Sequence, residues 1–255
     1  GCDAGDLVPG DTNQEVDIFL RDRQLGITER ISLARDGAQA NDSSHNPAVS
    51  DDGRYVVFDS WASNLVPQDV NGGTDVFLVD RQSRQLRLVS AGLDGHPGNG
   101  RSYGADISGD GRYVVFASEA ANLVPEDTSS DANVFLYDVQ TGALTLVSRS
   151  PSGAAVIGYS PTISADGRLV AFETTESLAA GDINGRGDVY VRDLQTGELD
   201  WASRTSTGAA GNDYSLRSAL SSDGRFVTFV SDATNLVAND TNGVRDVFLY
   251  DGETG

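Results

Sequence analysis

An all-β architecture of repeated four-stranded sheets is predicted, and three observations carry the prediction. The first is a segment written four times: AVSDDGRYVVF at 48–58, DISGDGRYVVF at 106–116, TISADGRLVAF at 162–172 and ALSSDGRFVTF at 219–229. Its glycines, Gly53, Gly111, Gly167 and Gly224, are 58, 56 and 57 residues apart, a period that signals stacked structural repeats. The second is a segment written five times, ending at Asp22, Asp80, Asp138, Asp193 and Asp251 and typified by TDVFLVD. The third is composition: 255 residues with 29 Gly, 30 Asp among 38 acidic residues, 18 Arg and no Lys suit turns and disfavour helix interiors.

Each period holds four short stretches rich in β-branched and aromatic residues, bounded by turn signals. In the second repeat they are A (47–50), B (54–60), C (75–81) and D (85–91). An Asp-Gly turn joins A to B, and Thr141-Gly142 and Thr196-Gly197 join C to D in later copies, so the unit is an antiparallel meander. Such a sheet cannot bury both faces alone, so copies pack side by side, and the radial solution is a β-propeller. The repeats run approximately 1–46, 47–103, 104–159, 160–216 and 217–255, as one domain or a segment of a longer array.

Where S-x-D-G-R-x-V-x-F is followed by D-V-F-L-x-D and T-G-x-L, the chain resembles the TolB-type, WD-like β-propeller repeats of bacterial periplasmic and secreted proteins. The resemblance spans nearly the whole chain and implies the fold and an extracytoplasmic setting. Propellers of this kind serve as scaffolds, receptors and enzyme domains, so it implies no single activity. The departure from the usual repeat is an insertion of about a dozen residues between B and C, which lengthens the period beyond the roughly 40–45 of the WD type.

Strands A, B and D are expected four times and C five times, because 1–26 repeats 230–255 in register. Asp3-Ala4 falls on Asp232-Ala233, and Cys2 falls on Ser231, which accounts for Cys2 better than a lipoprotein end does. A ring of four leaves one C strand over, and a ring of five lacks an A–B hairpin and a D strand. The expectation is a segment of a longer array, or a spare strand that joins another chain. The absence of Met reads as a mature product or an excised segment, and a lone Cys excludes an internal disulfide framework.

The B–C insertions carry the strongest chemical signal. Four share Asp-x-Asn-x-x-x-Asp: Asp11, Asn13, Asp17; Asp69, Asn71, Asp75; Asp182, Asn184, Asp188; and Asp240, Asn242, Asp246. The third reads Asp127, Ser129, Asp131, Asn133. Oxygen-only side chains at this spacing suit Ca²⁺, up to one structural ion per loop, though the bidentate Glu of the tightest loops is missing. The same side chains also form Asx-turns that cap their own backbone.

Catalysis finds little support. His45 and His96 do not recur and have no evident partners, and Glu173 with Glu176 reads as a solvated loop before it reads as a carboxylate pair. The recurring DGR turns read as structural, with Asp fixing the turn, Gly supplying a positive φ and Arg opening strand B. Trp201 is expected to pack, whereas an exposed Trp61 would be a contact candidate.

A net charge of −20 excludes nucleic-acid and anionic-membrane partners. The B–C and D–A connections emerge on one face and are long and variable, with His96, Arg101, Tyr103, Ile157, Tyr159, Asn212, Asp213 and Tyr214 among them. Long variable loops on a rigid scaffold are where partners bind. The leading expectation is therefore a non-enzymatic, calcium-stabilised extracytoplasmic scaffold that meets a protein or glycan partner on that face. The alternatives are a subunit of an extracellular assembly joined through terminal strands, and the propeller domain of a polysaccharide- or peptide-processing enzyme.

Overall fold

The computed structural model describes residues 7–67 and 69–255; the matches of Cys2, Asp3 and Ala4 to the last repeat lie outside them. Three four-stranded antiparallel sheets form the centre of the chain. The second repeat gives β3 (Ser44–Val49), β4 (Tyr55–Ser60), β5 (Asp75–Asp80) and β6 (Gln85–Leu88); the third gives β7 (Ser102–Ile107), β8 (Tyr113–Ser118), β9 (Asn133–Asp138) and β10 (Leu144–Leu146); the fourth gives β11 (Tyr159–Ile163), β12 (Leu169–Thr174), β13 (Asp188–Asp193) and β14 (Leu199–Trp201). The flanking sheets are partial: β1 (Phe19–Asp22) pairs with β2 (Ile27–Arg30), and β15 (Ser215–Leu220), β16 (Phe226–Ser231) and β17 (Asp246–Asp251) form a separate sheet.

Each blade is the meander that the turn signals imply, but its outer bounds differ from those read off the sequence. The first strand begins earlier, at Ser44, because a bulge between His45 and Ala48 takes up an extra residue. The same bulge recurs in the later blades, with Asn46, Gly104, Ser160 and Arg217 in the left-handed region. The fourth strand is shorter and ends at Leu88, because the chain then folds into a one-bridge hairpin, Ala91 to Pro97, repeated as Leu33–Gln39, Arg149–Ala155 and Arg204–Ala210. The D–A connections are therefore built turns rather than open loops.

Period-two alternation sends successive side chains to opposite faces, and both faces of a central blade are buried. On β4 and β5, Val56, Phe58 and Phe77 pack towards the first blade, while Val57, Val76 and Leu78 pack towards the third. Every core is thus an interface between blades. Stacked rings mark the same position in successive sheets: Phe58 on Phe77 at 5.8 Å, Phe116 on Phe135 at 5.7 Å and Phe229 on Phe248 at 5.7 Å. In the fourth blade Tyr190 stacks on Trp201, which is buried as expected.

The DGR motif and the Asp that closes the five-fold motif recur together because they touch. Arg54 donates to both oxygens of Asp80 at 3.0 and 2.8 Å, and Arg112–Asp138, Arg168–Asp193 and Arg225–Asp251 repeat the pair. Between blades, Asp51 N donates to Gly109 O, Gly109 N to Ala165 O and Ala165 N to Ser222 O, each at 2.9 Å, so the tight-turn face is laced by backbone bonds. Among the described residues no helix is long and apolar enough to cross a membrane.

Candidate functional site

Asparagines brace the long-loop face with hydrogen bonds. Asn41 Oδ1 accepts from Ser63 N while Asn64 Oδ1 accepts from Asn41 N, both at 3.0 Å, which clamps the D–A turn onto the B–C loop of the blade that follows. Asn99 with Asn122 and Asn212 with Asn235 form the same reciprocal clamp. The Asp-rich pattern overshadowed these residues, although they repeat with the period that revealed the strands.

A cleft of about 550 Å³ opens on this face between the second and third blades, lined by His45, Asp59, Trp61, Arg101, Tyr103 and Glu119 among others. Trp61 follows β4 and is 38% exposed, because Ala62 behind it is buried and turns the indole outwards. The Arg101 guanidinium lies 5.0 Å from the centre of the Trp61 ring, a cation–π arrangement that joins the two blades. Tyr103 and His45 occupy the same bulge position of neighbouring inner strands, with Tyr159 as the next in the series. Burial first, and the Glu119 carboxylate beside it second, push the Tyr103 phenol up to about 12, so it is a neutral hydrogen-bonding group. The Thr74 hydroxyl on the cleft wall is buried without a partner.

Asp59 is the fixed point of the cleft. Its Oδ2 accepts from Asn46 Nδ2 at 2.9 Å and from Gly104 N of the next blade at 3.0 Å. Glu173 does the same work two blades on, accepting from Arg217 N at 2.6 Å. Glu173 is thus a half-buried clamp on β12 rather than part of a solvated loop, and only Glu176 is exposed. Among the described residues neither His45 nor His96 makes a side-chain hydrogen bond; His96 lies in the 91–97 hairpin, away from the cleft wall.

The Asp loops bring their predicted residues together in four different ways. In the first, Arg30 reaches Asp11 Oδ1 at 3.0 Å and Asp17 Oδ2 at 3.2 Å, placing a guanidinium between the carboxylates. In the second, Asp75 accepts from Ser90 Oγ at 2.7 Å and Asn71 Nδ2 at 2.9 Å, and burial pushes its carboxyl up to about 6. Burial also raises neighbouring Asp69. In the fourth, Asp182 accepts from the Tyr190 hydroxyl at 2.6 Å, and Asp188 accepts from Asn184, Ser203 and the Trp201 indole. The fifth joins Asn242 to Asp246 at 2.8 Å and is more open, with Asp240 on its rim.

Asn13, Asn71, Asn184 and Asn242 each accept from the backbone N–H two residues on, the Asx-turn geometry. Three of them also donate across to the D–A turn, at Ala40 O, Gly98 O and Gly211 O. The third loop has no such Asn: Ser129 bonds to Asp127 and accepts from Asp131 N at 3.4 Å, Asp131 is exposed, and Asn133 donates to Val156 O at 2.7 Å. No three His, Cys, Asp or Glu side chains converge closely enough to hold a metal by themselves among the described residues.

No protein-family model matches the chain, and no curated protein sequence matches it. Solved structures do. The chain is similar to TolB from Acinetobacter baumannii, at 19% identity and TM-score 0.51 over 94% of this chain and 49% of that one. It is also similar to an oligogalacturonate lyase in complex with manganese, at 16% identity and TM-score 0.52 over 91% of this chain and 52% of that one. A prolyl endopeptidase matches at 14% identity and TM-score 0.53, over 92% of this chain and 31% of that one. The chain spans about half the length of the first two. It has the TolB-like β-propeller fold, with four-stranded antiparallel sheets repeating about every 57 residues. At such identities the likeness is one of fold, shared by a non-enzymatic protein and by enzymes.

Proposed function

We propose that this chain is a non-enzymatic, extracytoplasmic interaction scaffold that takes a protein or glycan partner in the cleft between its second and third blades. The observation that carries the reading is the cleft itself: an exposed Trp61 indole, a stacked Arg101, a neutral Tyr103 and the Glu119 carboxylate facing it from two neighbouring blades. A flat apolar platform ringed by directional polar groups suits a sugar ring, or a protein loop that presents an aromatic and a charge. Calcium is the proposed structural cofactor, at Asp loops whose acceptors lack donors from the chain, in a compartment where millimolar calcium fills weak oxygen sites.

A glycan array and a pull-down on envelope proteins, run with the wild type, Trp61→Ala and Arg101→Ala, test this. Each variant is expected to weaken the captured ligand at least about tenfold. Ligands held equally by all three proteins would place the interaction elsewhere. Turnover in a polysaccharide and peptide substrate screen would favour the enzyme-domain alternative.

One observation favours a second reading, a structural subunit joined to neighbours. Val247 and Leu249 on β17 are 74% and 65% exposed, whereas Val76 and Leu78 at the same positions of β5 are buried against the next blade. A further blade, from a longer polypeptide or from a second copy, would cover that face. Light scattering at increasing concentration separates the two, since a concentration-independent monomer removes the second-copy form.

A further inference from the structure

In the first and fourth loops the buried carboxylates have side-chain partners from this chain, Arg30 and the Tyr190, Trp201 and Ser203 group, and in the second Ser90 and Asn71 satisfy Asp75. The third loop lacks an equivalent. Asp127 Oδ2 and Asn133 Oδ1 are both buried with no hydrogen-bond partner, on residues that are each 1% exposed. Two replacements set this loop apart, Ser129 for Asn and Asn133 for Asp. Ser129 stands where the other loops have Asn, so the amide that would donate to the side chain at position 133 is gone, and Asn133 spends its own amide on Val156 O.

Orphaned buried acceptors are costly, so a ligand that satisfies them is favoured. Both residues line a cavity of about 190 Å³ with Glu126, Ser129, Asp131 and Glu176. Glu176 comes from the fourth blade, just after β12, so the cavity straddles two blades. A water could fill the space but would leave the negative charge of Asp127, Asp131 and Glu176 uncompensated. A hard divalent cation answers both needs.

We propose that a single Ca²⁺ binds in this cavity through Asp127 Oδ2 and Asn133 Oδ1 and ties the third blade to the fourth. The inference rests on the calcium part of the proposed function and narrows it from five loops to one. Water completes the shell, which places the affinity in the range of about 0.1–1 mM typical of extracellular sites. Arg149, 4.0 Å from Glu126, does not line the cavity and leaves it open to a cation.

Calorimetric titration of chelator-stripped protein with CaCl₂, paired with melting curves in calcium and in EGTA, tests this. One site per chain and a calcium-dependent rise in melting temperature are expected. Asp127→Asn should weaken binding at least about tenfold and abolish the rise. Ser129→Asn restores the residue of the other loops, so it is expected to fold as the wild type does and still lose the calcium response. Asp69→Asn is expected to keep both. Absence of any heat or thermal shift would overturn the calcium reading and the inference together. Binding that survives in both Asp127→Asn and Ser129→Asn would leave calcium in the reading and overturn the third-loop site.

Discussion

Arg30 shows how much one side chain decides. It sits where later repeats carry Leu88, Leu146 and Trp201, and it neutralises two carboxylates that are almost fully buried. Removing one partner of a buried pair strands the other charge in a poor solvent, at about 3–5 kcal/mol. Arg30→Leu, the residue of the next two repeats, is therefore expected to lower stability by about that amount in urea denaturation. A loss below about 1 kcal/mol would mean that water reaches Asp11 and Asp17 freely. The Asp triads were legible in the sequence, because spacing is a sequence property. The differing partners were not, since Arg30 arrives from the D strand 13 to 19 residues on, and nothing in D-x-N-x-x-x-D announces it.

Among elements, the DGR hairpin shows how identical motifs acquire different energetics. Gly53 and Gly111 both sit at positive φ, at 68° and 71°, so alanine at either one is strained by about 1–2 kcal/mol. A methyl group at Gly53 would meet only the flexible end of Arg81 at 3.6 Å, whereas at Gly111 it would lie 2.3 Å from the Tyr55 ring of the preceding blade. Gly111→Ala is expected to cost about 1–3 kcal/mol more than Gly53→Ala in the same denaturation assay. Equal losses would show that blades do not pack turn onto ring. Strand identity and order were readable from alternation and turn residues. The bulge at Asn46, Gly104, Ser160 and Arg217 was not, because no common residue type marks it.

For the whole molecule the balance of acids sets a pH optimum. Burial raises Asp106 and Glu173, and Asp75 up to about 6; each holds its proton more tightly when folded, so stability falls as pH rises through about 4 to 6. Asp193 and Asp251, held at about 2 by Arg168 and Arg225, and Asp80, held low by Arg54, act the other way. They release protons more readily when folded, so their contribution is present above about pH 4 and is lost below it. In chelator, the melting temperature is expected to peak near about pH 4 and to decline as the pH rises through about 6. A monotonic rise to neutrality would show that the buried acids are solvated. The net charge of −20 is therefore organised: on the tight-turn face Asp is paired with Arg, and on the long-loop face it is enclosed in loops.

The sequence by itself determined the unit. A fixed period, Asp-Gly turns and two-residue alternation specify a four-stranded meander that must stack on copies of itself, because neither face can stay wet. It also located the face where long loops gather, with Arg101 and Tyr103 upon it, and marked Trp61 as a contact candidate if exposed. Only the tertiary structure decided what the blades share: Asp59 and Glu173 bonding to the next blade, the Trp61–Arg101 stack, and the cavity in which Asp127 and Asn133 lack partners. The physical reason is distance along the chain. These contacts join residues about 40 to 50 positions apart, and whether a buried oxygen finds a donor depends on the neighbouring blade rather than on its own repeat.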